Sequence, residues 1–178
     1  MALVKPFIFQ VVGYQNSGKT TIVTKLIKTL TAQGIKTATI KHHGHGGKPD
    51  VWEQKDSSRH LSSGALAAIV EGSGRMILQS DNLNLSLEDE IELLKFYQPD
   101  VVLVEGYKQQ NYPKLLLLKK KEDLHLLKTI SNIRAIGYWS EDLDNGNSHP
   151  SFSIHNEELI NWTVGLIQKN VHKNDEKG

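Results

Sequence analysis

Residues Gly13-Tyr14-Gln15-Asn16-Ser17-Gly18-Lys19-Thr20 carry the spacing G-x-x-x-x-G-K-[ST], and each fixed position in it has a physical task at a polyphosphate. Gly13 and Gly18 permit backbone conformations and close approaches that a Cβ would obstruct, so that successive N–H groups converge on phosphate oxygens. Lys19 sets a compact positive charge against the outer phosphates, and the Thr20 hydroxyl can enter the shell of a magnesium ion bridging them. A helix beginning there adds the positive end of its dipole. The expected ligand is a nucleoside triphosphate with Mg2+, held by Gly13, Asn16, Ser17, Gly18, Lys19, Thr20 and Thr21.

Such a loop needs a second group to complete the metal site, and Glu105 is the candidate. It follows the aliphatic run Val101-Val102-Leu103-Val104 and precedes Gly106, the end of a buried strand where parallel sheets deliver their ligands. A plain surface carboxylate is the competing reading. His42, His43 and His45 suggest a transition metal by residue type, but three histidines on a glycine-rich loop offer no fourth ligand for a closed site. They serve either as donors near phosphates, with His43 the nucleotide contact, or as part of a solvated loop. Asp56 and Arg59 are three apart on a weakly helical stretch and can share a face. If that stretch faces the loop, Asp56 positions metal-bound water and Arg59 contacts a phosphate. Lys108 and Lys114 are further candidates for an anionic ligand.

The elements that must position these groups can be read from periodicity. Phe7 to Val12 is a strand, Ile22, Val23, Leu26, Ile27 and Leu30 recur at helical spacing, Gly34 ends that helix, and Ile35 to Ile40 is a second strand. Lys41 to Pro49 is a loop and Asp50 to Ser63 weakly helical. Ala65 to Val70 and Met76 to Gln79 are short strands turned at Gly72-Ser73-Gly74. Ser86 and Asp89 form a capping box for a helix running to Tyr97, stopped by Pro99. Leu115–Leu118 and Leu124–Leu127 flank a charged tip, as a hairpin or short excursion. Arg134 to Tyr138 is the last strand, Asn156 caps the last helix, and the tail from His172 is polar. The fold class is α/β, P-loop NTPase-like, a mainly parallel central sheet flanked by helices with a small β excursion, as one domain over residues 1–171.

Composition narrows the functions. Lys+Arg number 21 against 20 Asp+Glu, a formal charge of +1, so nucleic acid and anionic membranes are not expected as main partners. The absence of cysteine removes disulfides, thiolate nucleophiles and Cys-ligated zinc, in keeping with a reducing compartment. The first residues lead directly into a strand with no signal-peptide pattern, and no apolar stretch reaches the ~20 residues of a membrane span. A cytoplasmic protein is expected.

From Phe7 to about Asp142 the chain resembles the molybdopterin-guanine dinucleotide biosynthesis protein B family, small GTP-binding adapters of molybdenum-cofactor assembly. The resemblance rests on Gly13–Thr21, Lys41-His42-His43-Gly44-His45, Asp56-Ser57-Ser58-Arg59, and above all Val102-Leu103-Val104-Glu105-Gly106-Tyr107-Lys108 followed by Pro113-Lys114. It implies GTP with Mg2+, at best slow GTP hydrolysis, a homodimer, and cooperation with the guanylyltransferase that joins GMP to molybdopterin, with molybdopterin itself a further candidate ligand. It also implies Asp56, Arg59, Glu105 and Lys108 as site residues, with Asp56 and Glu105 in catalytic roles and Thr20, Asp56 and Glu105 at the metal. The chain has no Asn-Lys-x-Asp guanine motif. Because guanine presents N1–H and N2–H donors that a carboxylate accepts, Glu141 or Asp142 could supply base recognition, and Asp142 is the residue selected.

Two functions compete: an adapter presenting bound nucleotide to an enzyme, and a small-molecule kinase transferring the γ-phosphoryl group. Kinases of that kind close arginines over the phosphates. Arg59, Arg75 and Arg134 are scattered with no arginine-rich lid, which favours the adapter. Without an arginine finger or water-orienting glutamine, turnover is expected well below the median enzyme rate of about 10 per second.

Overall fold

A computed structural model describes residues 5–42, 56–81, 83–143 and 149–175. Its contacts divide the chain into two compact units, one formed by Met1–Gly44 with Leu87–Gly178 and the other by His45–Ser86.

The larger unit holds β1 (Phe7–Gly13), α1 (Lys19–Ala32) and β2 (Thr37–Lys41), and the smaller holds α2 (Asp56–Ser62), β3 (Ala67–Gly72) and β4 (Arg75–Ser80). The larger resumes with α3 (Leu87–Leu94), β5 (Val101–Glu105), β6 (Lys114–Leu118), α4 (Leu126–Thr129), β7 (Ile133–Tyr138), β8 (Ser151–Ser153) and α5 (Glu157–Asp175). Six strands form a sheet in the order β2-β5-β1-β6-β7-β8, and every pairing in it is parallel. This is the P-loop NTPase-like arrangement the sequence predicts, with the loop-bearing strand in the middle of the sheet.

Side-chain parity explains the unbroken apolar runs. Phe9, Val11, Val101, Leu103, Leu115 and Leu117 pack with Leu26 and Leu30 of α1 and Leu159, Val164 and Ile167 of α5. Their neighbours one residue along serve the other face: Ile8, Val102 and Val104 meet Leu87 and Ile91 of α3, while Val12, Leu116 and Leu118 meet Leu126 of α4. A strand covered on both sides has no solvent face to carry polar residues. Leu115 to Leu118 are each fully buried, worth about 1.5–3 kcal/mol apiece.

Helix ends follow local chemistry. Gly34, with φ +79°, donates to Thr31 O while Ile35 donates to Leu30 O, the paired bonds of a glycine-terminated helix. Asn156 caps α5 through its side-chain oxygen, which accepts from Glu158 N at 3.0 Å.

Four expectations are corrected. Leu124–Leu127 forms no strand: Lys121–His125 is a 3-10 turn leading into α4, because the Asp123 carboxylate accepts from Lys119 N and Lys120 N and winds the chain there. β7 is not last, since Ser151–Ser153 adds β8 at its edge. α3 ends at Leu94 and passes into a 3-10 turn over Lys95–Tyr97. α5 continues through Asp175, past the polar break at His172.

In the smaller unit, β3 and β4 pair antiparallel about Ser73 (φ +51°) and Gly74 (φ +76°), the two left-handed residues a tight hairpin turn needs.

Candidate functional site

The loop from Gly13 to Gly18 joins the carboxyl end of the central strand to the start of α1. Its geometry admits few residue types. A Cβ on Gly13 would stand 2.6 Å from Ser17 Oγ and 2.8 Å from the Leu117 carbonyl, and Gly18 takes φ +91°, which a Cβ disfavours. Asn16 is also left-handed, at φ +57°. Ser17 is fully buried, and its hydroxyl has no hydrogen-bond partner within the protein, an orphaned polar atom on the inner side of the loop. The Lys19 ammonium lies back along the loop, donating to Tyr14 O at 2.7 Å and Gly13 O at 3.2 Å. Thr21 follows on the exposed surface of α1.

Beside the loop, β5 delivers Glu105. Register pairs it with Val11 on one side and Lys41 on the other, so the ends of three adjacent strands meet. The Glu105 side chain is nearly buried, and Thr20 Oγ1 donates to it at 2.9 and 3.1 Å from the two carboxylate oxygens. Lys41 Nζ lies 3.6 Å from Glu105 Oε1 and 3.4 Å from Thr20 Oγ1. The chain turns after Glu105 through two left-handed residues, Gly106 at φ +101° and Tyr107 at φ +53°. Gln10, a polar residue fully buried mid-strand, secures that turn by donating to Gly106 O at 3.1 Å and Tyr107 O at 2.9 Å. The Tyr107 ring lies 4.3 Å from that of His42, and its hydroxyl donates to Glu90 at 3.1 Å. Burial, followed by the Glu90 contact, pushes the Tyr107 phenol up to about 12.

The turn brings Lys108 back over the loop, its ammonium 4.4 Å from the centre of the Tyr14 ring, while the Tyr14 hydroxyl meets His125 Nε2 at 3.0 Å. Lys19 and Lys41 therefore lie near the Glu105 carboxylate, with Lys108 adding a third ammonium on the loop side. Partial burial lowers the pKa of Lys19, Glu105 opposes that, and the like charges of Lys108 and Lys41 add to it. An excess of ammonium groups beside converging amides suits a ligand carrying several negative charges.

On the other side of the loop stands Trp139, just past β7. Its indole N–H donates to Ser17 O at 3.0 Å, its ring edge reaches within 3.7 Å of the Cβ position at Gly18, and Lys119 Nζ lies 5.0 Å from its ring centre. Asp142 follows in a 3-10 turn over Glu141–Leu143, where it accepts from Ser140 and pairs with Lys121 at 3.3 Å. Those hydrogen bonds, Ser140 first, hold its carboxyl below the ordinary range.

The sequence-derived residues thus sort clearly. Gly13, Asn16, Ser17, Gly18, Lys19, Thr20, Glu105 and Lys108 come together. Asp56 opens α2 and Arg59 lies exposed on it, both in the smaller unit. His43 and His45 lie outside the described residues. Lys114 does not face a ligand: it is fully buried in β6, donating to Gln110 O and Ser131 O, and burial lowers its pKa to about 8. Lys41 and Trp139 were not singled out by sequence. Position at the end of β2, beside Glu105, would have identified Lys41, and the carboxyl end of β7 would have identified Trp139.

Among the described residues no three His, Cys, Asp or Glu side chains cluster as a metal cage. Thr20 and Glu105 form a hard-oxygen pair, the donor set that suits Mg2+ shared with phosphate oxygens and water. Among the described residues no helix is long and apolar enough to cross a membrane.

The family model for "Molybdopterin guanine dinucleotide synthesis protein B" (MobB) matches residues 8–139. A Bacillus subtilis relative, described as a probable molybdopterin-guanine dinucleotide biosynthesis adapter protein, is 38% identical over 170 residues, covering 94% of this chain and 98% of that one. The crystal structure of Bacillus subtilis MobB superposes with a TM-score of 0.79 at 34% identity, covering 89% of this chain and 96% of that one. That of a MobB homolog from Bacillus stearothermophilus gives 0.74 at 33%, covering 91% and 98%.

Proposed function

The chain belongs to the molybdopterin guanine dinucleotide synthesis protein B family, and from that premise we propose that it is a GTP-binding adapter in molybdenum-cofactor assembly. It binds GTP with Mg2+, hydrolyses it slowly at most, and assists the guanylyltransferase that attaches GMP to molybdopterin. The observation that carries the nucleotide part is the joining of Thr20 to Glu105 beside a glycine loop whose buried Ser17 hydroxyl lacks a partner.

The roles follow from position. Loop amides and Lys19 take phosphate oxygens, and Thr20 and Glu105 hold the metal, which when bound neutralises charge on the outer phosphates. Lys108, resting on Tyr14, is within reach of the same anion. Asp142, beyond Trp139, is the carboxylate for guanine N1–H and N2–H, an arrangement adenine cannot use. Asp56, Arg59 and His43 stay in the proposal as site residues on the strength of their sequence motifs alone. Arg134 is the arginine of the larger unit, and it stands near the start of β7, at the amino-terminal ends of the strands, whereas the loop lies at their carboxyl ends. With no arginine of the larger unit beside the loop and no arginine-rich lid to close over a transferring phosphoryl, weak catalysis by this chain alone is the expectation.

The adapter works in the cytoplasm as a homodimer, and molybdopterin binding directly to it is part of the proposal. Purified protein should turn GTP over far more slowly than 1 per second, a rate below the enzyme median. It should co-elute with the guanylyltransferase when GTP is present and sediment at twice its 20.0 kDa mass. Rapid unaided hydrolysis, or a phosphorylated small-molecule product, would instead favour a kinase.

A further inference from the structure

Lys41 occupies an unusual station. Its ammonium lies 3.4 Å from Thr20 Oγ1 and 3.6 Å from Glu105 Oε1, against the two groups that form the hard-oxygen pair of the site. The Thr20 hydroxyl donates its hydrogen to Glu105, which leaves the oxygen as an acceptor for Lys41. β2 fixes the backbone of Lys41 through its register with Glu105, while the side chain is 60% exposed and its stem can swing.

We propose that Lys41 is an internal counter-cation that opposes divalent metal at Thr20 and Glu105 and gives way only when a polyphosphate is present. The inference rests on the nucleotide reading above. A divalent ion entering that oxygen pair would meet the ammonium at about 4 Å, a repulsion of about 8 kcal/mol at an effective dielectric near 20 and less at an exposed site, which weakens metal binding for as long as Lys41 stays. In the protein alone, Lys41 neutralises a nearly buried carboxylate that would otherwise be costly to leave unpaired. When triphosphate arrives it offers the ammonium several alternative oxygens and brings further ligands for the metal. Metal binding is thereby weakened in the protein alone and favoured once the nucleotide is present. Lys108 is held in a similar way on the Tyr14 ring, but it faces no metal oxygen and so cannot play this part.

The test is Mn2+ binding, read by electron paramagnetic resonance of the free ion, with and without a non-hydrolysable GTP analogue whose own binding is followed in parallel. Lys41→Met should bind Mn2+ about tenfold more tightly than wild type in the protein alone, the size expected on removing one exposed like charge beside a divalent ion. Lys41→Arg, which keeps the charge, should stay near wild type, and Glu105→Gln in the Lys41→Met background should abolish the gain. Unchanged or weaker Mn2+ binding in Lys41→Met, with analogue bound normally, overturns the inference and leaves the nucleotide reading standing. A wild type that binds no analogue overturns both.

Discussion

Replacing Glu105 by Gln separates the metal's share of nucleotide binding from everything else at the loop. The amide has the carboxylate's shape and can still accept from Thr20 Oγ1, whose bonds to Glu105 are 2.9 and 3.1 Å, so the local structure is kept. What is lost is one negative charge beside the expected ion. At ~4 Å and an effective dielectric near 20, a carboxylate and a divalent ion interact by about 8 kcal/mol, and solvent screening at the open carboxyl end of the sheet leaves about a quarter of that, roughly 2 kcal/mol. That corresponds to roughly 30-fold in affinity. Calorimetric titration of GTP should show this weakening with Mg2+ present. In excess chelator the variant should bind as well as wild type or better, since a carboxylate near the phosphates has been neutralised. An equal loss in both conditions would mean that Glu105 acts through the shape of the loop and would refute the metal assignment.

Gly13→Ala forces a methyl to within 2.6 Å of Ser17 Oγ and 2.8 Å of Leu117 O, and should abolish GTP binding while costing about 1–3 kcal/mol in denaturant unfolding. Trp139→Phe removes the bond to Ser17 O and should lower stability by about 1 kcal/mol, and it should erase the nucleotide-induced change in tryptophan fluorescence expected of wild type. Lys114 titrates at about 8 in the fold and near 10.5 unfolded, so between those values the unfolded chain holds more protons and wild-type stability should rise from pH 8 to 10. Lys114→Met should flatten that rise in denaturation series, and Tyr107, pushed up to about 12, sets a loss of stability only above pH 10.

Much of this was legible because strong local signals coincided with the fold's logic. The G-x-x-x-x-G-K-T spacing fixed the loop, and the unbroken Val101–Val104 run announced a strand covered on both faces, with Glu105 at its end. What escaped notice depended on distant pairing. Lys41 reads as an ordinary polar residue after a strand until the register sets it beside Glu105. Trp139, one residue past the predicted last strand, gives no local signal, and only the fold sets its indole on Ser17, far away in sequence. Leu124–Leu127 is apolar enough for either helix or strand, and the Asp123 carboxylate, accepting two backbone N–H groups, decides for helix. β8 is only Ser151–Ser153, too short for alternation to register. Lys114 looked like a ligand contact because lysines are seldom buried, yet two carbonyls satisfy it inside.

The most direct measurement is a calorimetric titration of GTP and of ATP, each with Mg2+, into wild type and Lys19→Ala. Loss of a charge-assisted contact to phosphate worth roughly 1.5–3 kcal/mol predicts a fall in GTP affinity of about 10- to 150-fold with the fold intact, and a wild type that prefers GTP to ATP. Equal GTP binding by wild type and Lys19→Ala would contradict the account.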